Sequence, residues 1–291
     1  MNPPGAEPGG NPGLTVAGAL ALARSLGVDR LDAQRLLGHH LQQQRSWLLA
    51  HDDAVLPAAL AAAFDADCRR CADQVPLAYL IGEQAFHGLV LQVSPDVLVP
   101  RPDTETLVDW ALHCLAASGV RSPEVLDLGT GSGAIALAVA LAWPTARLTA
   151  TDLSAAALAV AQANARRLSL PLETAQGDWW QALAPQRRFD LVLSNPPYIA
   201  GHDPHLPDLR HEPRLALTPG GDGLDAIRSI VAGASQALQA GAWLLIEHGW
   251  DQAEAVCALI ANAGFAEVQT RPDRAGRPRC SGGRWGPGNT R

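Results

Sequence analysis

From residue 125 to residue 270 short apolar runs alternate with alanine- and leucine-rich stretches of helical period. The runs cover 125–129, 147–152, 172–177, 189–194, 242–247 and 265–270. Between them, 134–142 and 154–168 repeat their apolar residues at three- and four-residue steps. Strands spaced by helices leave few architectures open: a mainly parallel, doubly wound sheet with helices on both faces. Ligands of such sheets sit at the carboxyl ends of the strands, beside the point where strand order reverses. The residues that end the strands are therefore where chemistry is expected.

The chain before this region reads differently. Leu, Ala and Val recur at helical spacing over 14–26, 31–41 and 56–75, with Gly27 as a C-cap and Asp29 as the next N-cap. No strand signal appears there. "EQAFHGLVLQVSPDVLVPRPDTE" then alternates apolar residues around His87-Gly88, which predicts a β-hairpin. Pro100 and Pro102 end it, and Asp103 or Thr104 is placed to cap a helix from Glu105. The expected division is a disordered tail over 1–13, a helical domain over 14–82, a hairpin linker over 83–102 and an α/β domain over 103–291.

Composition narrows the function classes. The 291 residues are 47% hydrophobic, ample for a packed core. Net charge is −7 and all 22 basic residues are arginine, a poor balance for a general nucleic-acid binder. The apolar stretch over 133–143 is shorter than the ~20 residues of a membrane helix. "MNPPGAEPGGNPG" lacks the apolar segment of a secretory signal. Five cysteines, an odd number, fit a reducing compartment, so a cytoplasmic location is expected. Cys68 and Cys71 form a C-x-x-C with no second pair, inside a helical pattern; two helix cysteines are the plainer reading beside zinc or redox chemistry. His202, His205 and His211 sit in a Pro-rich loop without the spacing of a metal site, and no metal is expected.

The first run of the α/β region ends in "DLGTGSGAIAL". In Gly129, Thr130, Gly131, Ser132 and Gly133, the glycines let backbone approach a ligand and turn sharply into a helix. The stretch also satisfies G-x-G-x-x-A with Ala134 last, so NAD fits it as well. Asp152 ends the second run, where a carboxylate can accept two ribose hydroxyl protons; capping the helix near Ser154 is its alternative. These signals imply a nucleoside cofactor and leave its kind open.

"LVLSNPPYIA" closes the fourth run. An apolar strand that stops at Ser194 and meets Asn195, Pro196, Pro197 and Tyr198 resembles the signature of S-adenosylmethionine-dependent methyltransferases that act on planar nitrogens. These are the carboxamide of glutamine or the exocyclic amine of adenine. An amide nitrogen shares its lone pair with the carbonyl and attacks poorly. The Asn195 side-chain oxygen and the Pro196 carbonyl can accept bonds from such an NH₂ group and hold it in line with an S–CH₃ bond. Two prolines fix φ, and Tyr198 offers a flat face to the planar group. A structural Pro-Pro turn is the alternative.

Further segments in order, "PLAYLIGEQAFHGL", "VLVPRPDTETLVDWAL", "TDLSAAALAVAQANA", "GDWW", "HEPRLALTPGGDGLDAIR" and "LLIEHGWDQ", resemble the HemK/PrmC family, the protein-(glutamine-N5) methyltransferases of peptide chain release factors. The resemblance implies a Rossmann-like class I methyltransferase domain preceded by a small all-helical domain that docks substrate. It implies S-adenosylmethionine as methyl donor, held by Gly129, Thr130, Gly131, Ser132, Gly133, Asp152 and Asn195. It adds an aromatic after the acid of the third run, here Trp179 in preference to Trp180, with Asp178 near the adenine amine or, as its alternative, capping the loop. Arg101 and Glu105 are expected at the site entrance, with a salt bridge or a helix cap as the alternative for each. The implied substrate is the glutamine of the Gly-Gly-Gln motif in class 1 release factors. "DRAGRPRCSGGRWGPGNTR" departs from the family pattern, and a short or frayed last strand is expected there, with its antiparallel edge role in doubt. Two other readings remain open from sequence: a DNA adenine-N6 methyltransferase, and an NAD-dependent or non-catalytic module.

Overall fold

The structure, a computed structural model, describes residues 13–286. The tail expected over 1–13 lies outside these residues except for Gly13. The chain divides into two compact units, Met1–Ile81 and Gly82–Arg291.

The first unit is helical: α1 (Val16–Ser25), α2 (Arg30–Leu41), α3 (Arg45–Ala50), α4 (Ala58–Ala72) and α5 (Leu77–Ile81). The Thr15 hydroxyl caps α1 by accepting from the Gly18 N–H at 3.1 Å, and Asp29 caps α2 by accepting from the Leu31 N–H at 2.7 Å. Gly27, at φ +82°, turns the chain between them. Leu36, Leu37, Leu48 and Phe64 form the buried centre. α3 and α5 are too short to show a periodic pattern, so the sequence did not announce them. Cys68 and Cys71 both lie on α4. Burial pushes their thiols up to about 12 and about 11, so these are packed thiols and not reactive thiolates.

The second unit begins with the expected hairpin, β1 (Glu83–Phe86) and β2 (Leu89–Gln92). His87 and Gly88 stand at φ +44° and +79°, the two left-handed positions of a tight turn that matches strand twist. α6 (Glu105–Ser118) follows, then β3 (Glu124–Leu128), α7 (Ala134–Ala142), β4 (Arg147–Asp152), α8 (Ala155–Leu168), β5 (Glu173–Gln176) and β6 (Phe189–Ser194). After α9 (Arg214–Leu217) and α10 (Asp225–Ala234) come β7 (Leu238–Glu247), α11 (Ala253–Asn262), β8 (Phe265–Pro272) and β9 (Pro278–Trp285).

Strand order is β5-β4-β3-β6-β7-β9-β8, parallel from β5 to β7. Side chains alternate between two cores, as a sheet covered on both faces requires. Val125, Leu191, Leu193 and Leu245 join α6, α7 and the hairpin on one face. Leu126, Val192, Leu244 and Ile246 join α10 and α11 on the other.

The glycine- and arginine-rich C-terminal segment corrects the expectation of a short or frayed strand. β9 spans eight residues and is mostly buried. It lies inside the sheet, antiparallel to β7 on one side and to β8 on the other, so β8 is the edge. Its glycines make this possible. A Cβ on Gly282 would meet the Leu245 side chain at 2.5 Å and the Leu244 carbonyl at 2.6 Å. Its final tryptophan, Trp285, packs edge-on against Phe265 with ring centres 5.1 Å apart.

Candidate active site

β3 and β6 are neighbours at the reversal of strand order, and Leu128 stands opposite Ser194. The Ser194 hydroxyl donates to the Leu128 carbonyl at 2.7 Å, so the glycine loop and the Asn-Pro-Pro-Tyr turn leave the sheet side by side. Gly129, Gly131 and Gly133 all have positive φ, +73°, +55° and +83°. The Thr151 carbonyl accepts from both the Gly129 and Thr130 N–H groups at 2.9 Å. Beneath the loop, the buried Asp127 accepts from the Thr130 hydroxyl at 2.7 Å and from the Ala136 N–H at 3.3 Å. Burial pushes its carboxyl up to about 7. Asn164 of α8 donates to the Ser132 carbonyl at 3.0 Å and to the Gln92 carbonyl at 2.9 Å, which ties the loop to β2.

A cavity of about 370 Å³ opens over this loop, within the ~300–1,000 Å³ typical of small-molecule sites. Gly129, Thr130, Gly131, Ser132, Asp152 and Trp179 line it; Gly133 sits behind, at the start of α7. Asp152 accepts from the Gly131 N–H and from the Ser154 N–H, each at 2.9 Å. Burial raises its pKa above the ordinary carboxylate value. The cap of α8 is Ser154, whose hydroxyl accepts from the Ala157 N–H at 3.2 Å. Asp152 is left to face the cavity, as does Leu153 beside it, half exposed.

The two tryptophans point to different places. Trp179 lines the cavity with its ring beside Gly129, and holds φ +45°, a conformation a bulky side chain rarely adopts. Trp180 instead donates its indole N–H to the Ile230 carbonyl at 3.1 Å and packs on Gly233 of α10. Asp178 lines the cavity as well.

Asn195 and Pro197 line the same cavity, whereas Pro196 and Tyr198 lie outside its lining. The Asn195 amide donates to the Thr104 hydroxyl at 3.2 Å. Thr104, expected as a helix cap, makes no cap hydrogen bond with its side chain, because that side chain serves Asn195. Asp103 belongs to a short 3-10 turn, Pro102–Thr104, and forms an ion pair with Arg279 at 3.2 Å. The Tyr198 hydroxyl donates to Glu247 at 3.3 Å, and its backbone carbonyl accepts from Gln252 at 3.0 Å. Arg101 lines the cavity and pairs with the buried Glu212, which also accepts from the Val99 N–H at 3.0 Å. Glu105 is away from the cavity, accepting from the His87 N–H at 3.0 Å and from Arg274 at 2.6 Å. Of the histidine loop, His205 pairs with Asp203 at 3.0 Å. Among the described residues no cluster of three His, Cys, Asp or Glu side chains is arranged to hold a metal.

Three buried groups around the site were not read from sequence as site residues: Asp127, Glu247, and Thr104, which was expected only as a helix cap. Glu247 ends β7 as a charged residue after "WLLI", so the rule of reading strand ends could have found it. Asp127 breaks the apolar run "VLDL" in the same visible way.

The lining suits a nucleoside carrying a charged amino-acid tail. Nothing lies within 4 Å of where a Cβ on Gly131 would project, so bare backbone faces the cavity there. Asp152 lines the cavity with a carboxylate, and Leu153 and Trp179 line it with apolar surface. A sheet of this order, with its last strand inserted antiparallel and a cavity over the β3 glycine loop, is the fold of the class I methyltransferases.

Comparison with known proteins agrees and goes further. Residues 106–248 match the family model "Methyltransferase small domain", and residues 16–82 match "PrmC N-terminal domain". A release factor glutamine methyltransferase from Bordetella pertussis is 55% identical, covering 88% of this chain and 95% of that one. The enzyme of the same name from Burkholderia pseudomallei is 50% identical over 92% and 96%. Two solved structures share the fold. A methyltransferase from Pyrococcus furiosus has a TM-score of 0.51 at 18% identity, covering 68% of this chain and 90% of its own. A 16S rRNA N2 G1207 methyltransferase from T. thermophilus has 0.52 at 19% identity, over 70% and 49%. The chain belongs to the release factor glutamine methyltransferase family. This membership favours the glutamine reading over adenine-N6 methylation of DNA.

Proposed function

We propose that the chain transfers the methyl group of S-adenosylmethionine to the side-chain amide nitrogen, N5, of the glutamine in the Gly-Gly-Gln motif of class 1 peptide chain release factors. The observation that carries the chemistry is Asn195. At the end of β6 one of its two amide N–H groups is given to the Thr104 hydroxyl, and its side-chain oxygen is the acceptor we assign to the substrate.

When bound, S-adenosylmethionine supplies an electrophilic methyl group on a positively charged sulfur. Gly129, Thr130, Gly131 and Ser132 present backbone to its amino-acid tail, with Gly133 setting the turn into α7. Asp152 would accept from its ribose hydroxyls, Asp178 would meet its adenine amine, and Trp179 and Leu153 would cover the base; all four line the cavity. On the substrate side, the Asn195 oxygen and the Pro196 carbonyl accept the two N–H groups of the glutamine amide. Both acceptors sit on a turn whose φ angles are fixed by proline, so they need no reorganisation as charge develops on nitrogen. Pro197 closes the cavity wall against the amide plane. Tyr198 braces the turn through Glu247. As the N–C bond forms and the S–C bond breaks, leaving a neutral thioether, the nitrogen would become strongly acidic and would release its proton to water, with no strong base required. The helical domain, residues 14–82, holds the body of the release factor.

Asn195→Ala tests this reading. It is expected to keep most affinity for S-adenosylmethionine and to slow methyl transfer at least ~10²-fold, the cost of losing one preorganised hydrogen-bonding group at a reacting centre. Asn195→Asp keeps an oxygen acceptor and is expected to exceed the Ala variant. Rates are compared at saturating cofactor, so that they report the transition state and not occupancy. Near wild-type rates for both variants would remove Asn195 from the reaction.

A further inference from the structure

The Asn-Pro-Pro-Tyr turn is fastened at both ends. At its start the Ser194 hydroxyl donates to the Leu128 carbonyl at 2.7 Å. At its far end the peptide between Tyr198 and Ile199 is held on both sides. The Tyr198 carbonyl accepts from the Gln252 side-chain amide at 3.0 Å, and the Ile199 N–H donates to the Leu217 carbonyl at 3.0 Å. Gln252 is the N-cap residue of α11 and Leu217 ends α9, so one peptide unit joins the turn to two helices. From a third direction Gly223, at φ +84°, packs against the same pair. A Cβ there would fall 2.3 Å from the Tyr198 carbonyl and 3.0 Å from the Gln252 amide nitrogen.

Gln252 does not serve the helix it opens. An N-cap position favours Ser, Thr, Asp or Asn, whose short side chains accept from N–H groups of the first turn. Gln252 makes no such bond among the described residues. Its amide nitrogen instead reaches Tyr198, 54 positions away, while its oxygen accepts from the Gly249 N–H at 2.9 Å. These two partners fix which way the amide faces. A backbone N–H can only donate and a carbonyl can only accept, so a flipped amide would lose both bonds. The turn over 248–252 is in its turn tied to the inserted strand β9. The His248 N–H donates to the Arg279 carbonyl at 2.9 Å, and the His248 ring bridges the Gly249 carbonyl at 2.8 Å and the Ser281 hydroxyl at 2.7 Å.

We propose that Gln252 is a positioning residue for methyl transfer: its side-chain amide fixes the far end of the Asn-Pro-Pro-Tyr turn and so keeps the Asn195 oxygen and the Pro196 carbonyl aimed at the substrate nitrogen. This rests on the role given to those two acceptors above. Between Asn195 and Tyr198 the φ angles of Pro196 and Pro197 are locked, so a tilt at one end of the turn is passed along and not absorbed. Without the Gln252 donor the Tyr198 peptide is free to tilt. Both acceptors are then still present but sample directions that miss the substrate N–H groups. A misplacement of about 1 Å from a change outside the reacting centre can cost about 10²-fold in rate. Gln252 is not among the residues that line the cavity, so the cofactor cradle does not depend on its side chain.

The test is single-turnover methylation of a class 1 release factor, with enzyme in excess and S-adenosylmethionine saturating. Gln252→Ala removes both bonds. Gln252→Glu keeps the length of the side chain and an acceptor for Gly249, but as a carboxylate it has no N–H for the Tyr198 carbonyl. Both variants are expected to lower the maximal rate at least tenfold. Cofactor affinity and the enzyme concentration that gives half the maximal rate are expected to stay within about threefold of wild type. This split distinguishes positioning from damage to the fold: partial unfolding lowers the fraction of active chain and leaves the maximal rate of that fraction unchanged. A smaller loss of maximal rate in either variant, or a loss carried by cofactor affinity alone, overturns the proposal. If Gln252→Ala does not fold, Gln252→Glu decides alone. Asn195→Ala in the same assay separates the two levels. If it is slow while the Gln252 variants are fast, only this proposal fails. If it too is fast, the reading of Asn195 fails with it.

Discussion

At the scale of single residues, the site is a set of strand ends whose side chains are already engaged. Asp152 holds two backbone N–H groups of its own chain and still faces the cavity. Asp152→Ala is expected to weaken S-adenosylmethionine binding about 10- to 100-fold, since a hydrogen bond to a charged group is worth roughly 1.5–3 kcal/mol. Calorimetric titration with unchanged affinity would refute the ribose role. The residues that touch the cavity were largely legible because they sit in short runs whose meaning is local: a glycine loop, an acid, an amide before two prolines. Thr104 was not, because its role exists only across distance. Thr104 meets an amide 91 positions away, and the same threonine read locally as a helix cap. Trp180 differs from Trp179 only through α10, which no local pattern places over it.

At the scale of elements, the C-terminal strand is where pattern and packing part company. Glycine and arginine are poor strand signals, since glycine has no side chain to pack and arginine is usually exposed. β9 lies between two strands that satisfy its backbone on both sides, with room for backbone and little more at Gly282. Gly282→Ala should therefore overpack the sheet and cost about 1–3 kcal/mol, read as a lower midpoint of denaturation. A midpoint equal to wild type would mean that the strand does not need its glycines. The turn that carries Asn195 is built with similar economy. A Cβ on Gly223 would fall 2.3 Å from the Tyr198 carbonyl, and Gln252 donates to that same carbonyl. Periodicity found the strands and the long helices because each repeats its signal over several turns. It passed over α3 and α5, which do not.

At the scale of the whole molecule, the cofactor loop, Asp152 and Asn195 all belong to the unit Gly82–Arg291. A chain beginning at Glu83 is expected to bind S-adenosylmethionine with near wild-type affinity and to methylate intact release factor poorly. Full activity of this shortened chain on intact release factor would show that the helical unit does not recognise substrate. The fold class could be read from the alternation of strands and helices, whereas the insertion of β9 could not, since topology is decided by pairings far apart in sequence. Transfer to the glutamine amide nitrogen is read most directly by tandem mass spectrometry of a class 1 release factor incubated with the chain and S-adenosylmethionine. One methyl group on the side-chain nitrogen of the Gly-Gly-Gln glutamine, absent when Asn195→Ala replaces the wild-type chain, is the predicted result. A release factor of unchanged mass, or a methyl group on any other atom, would contradict it.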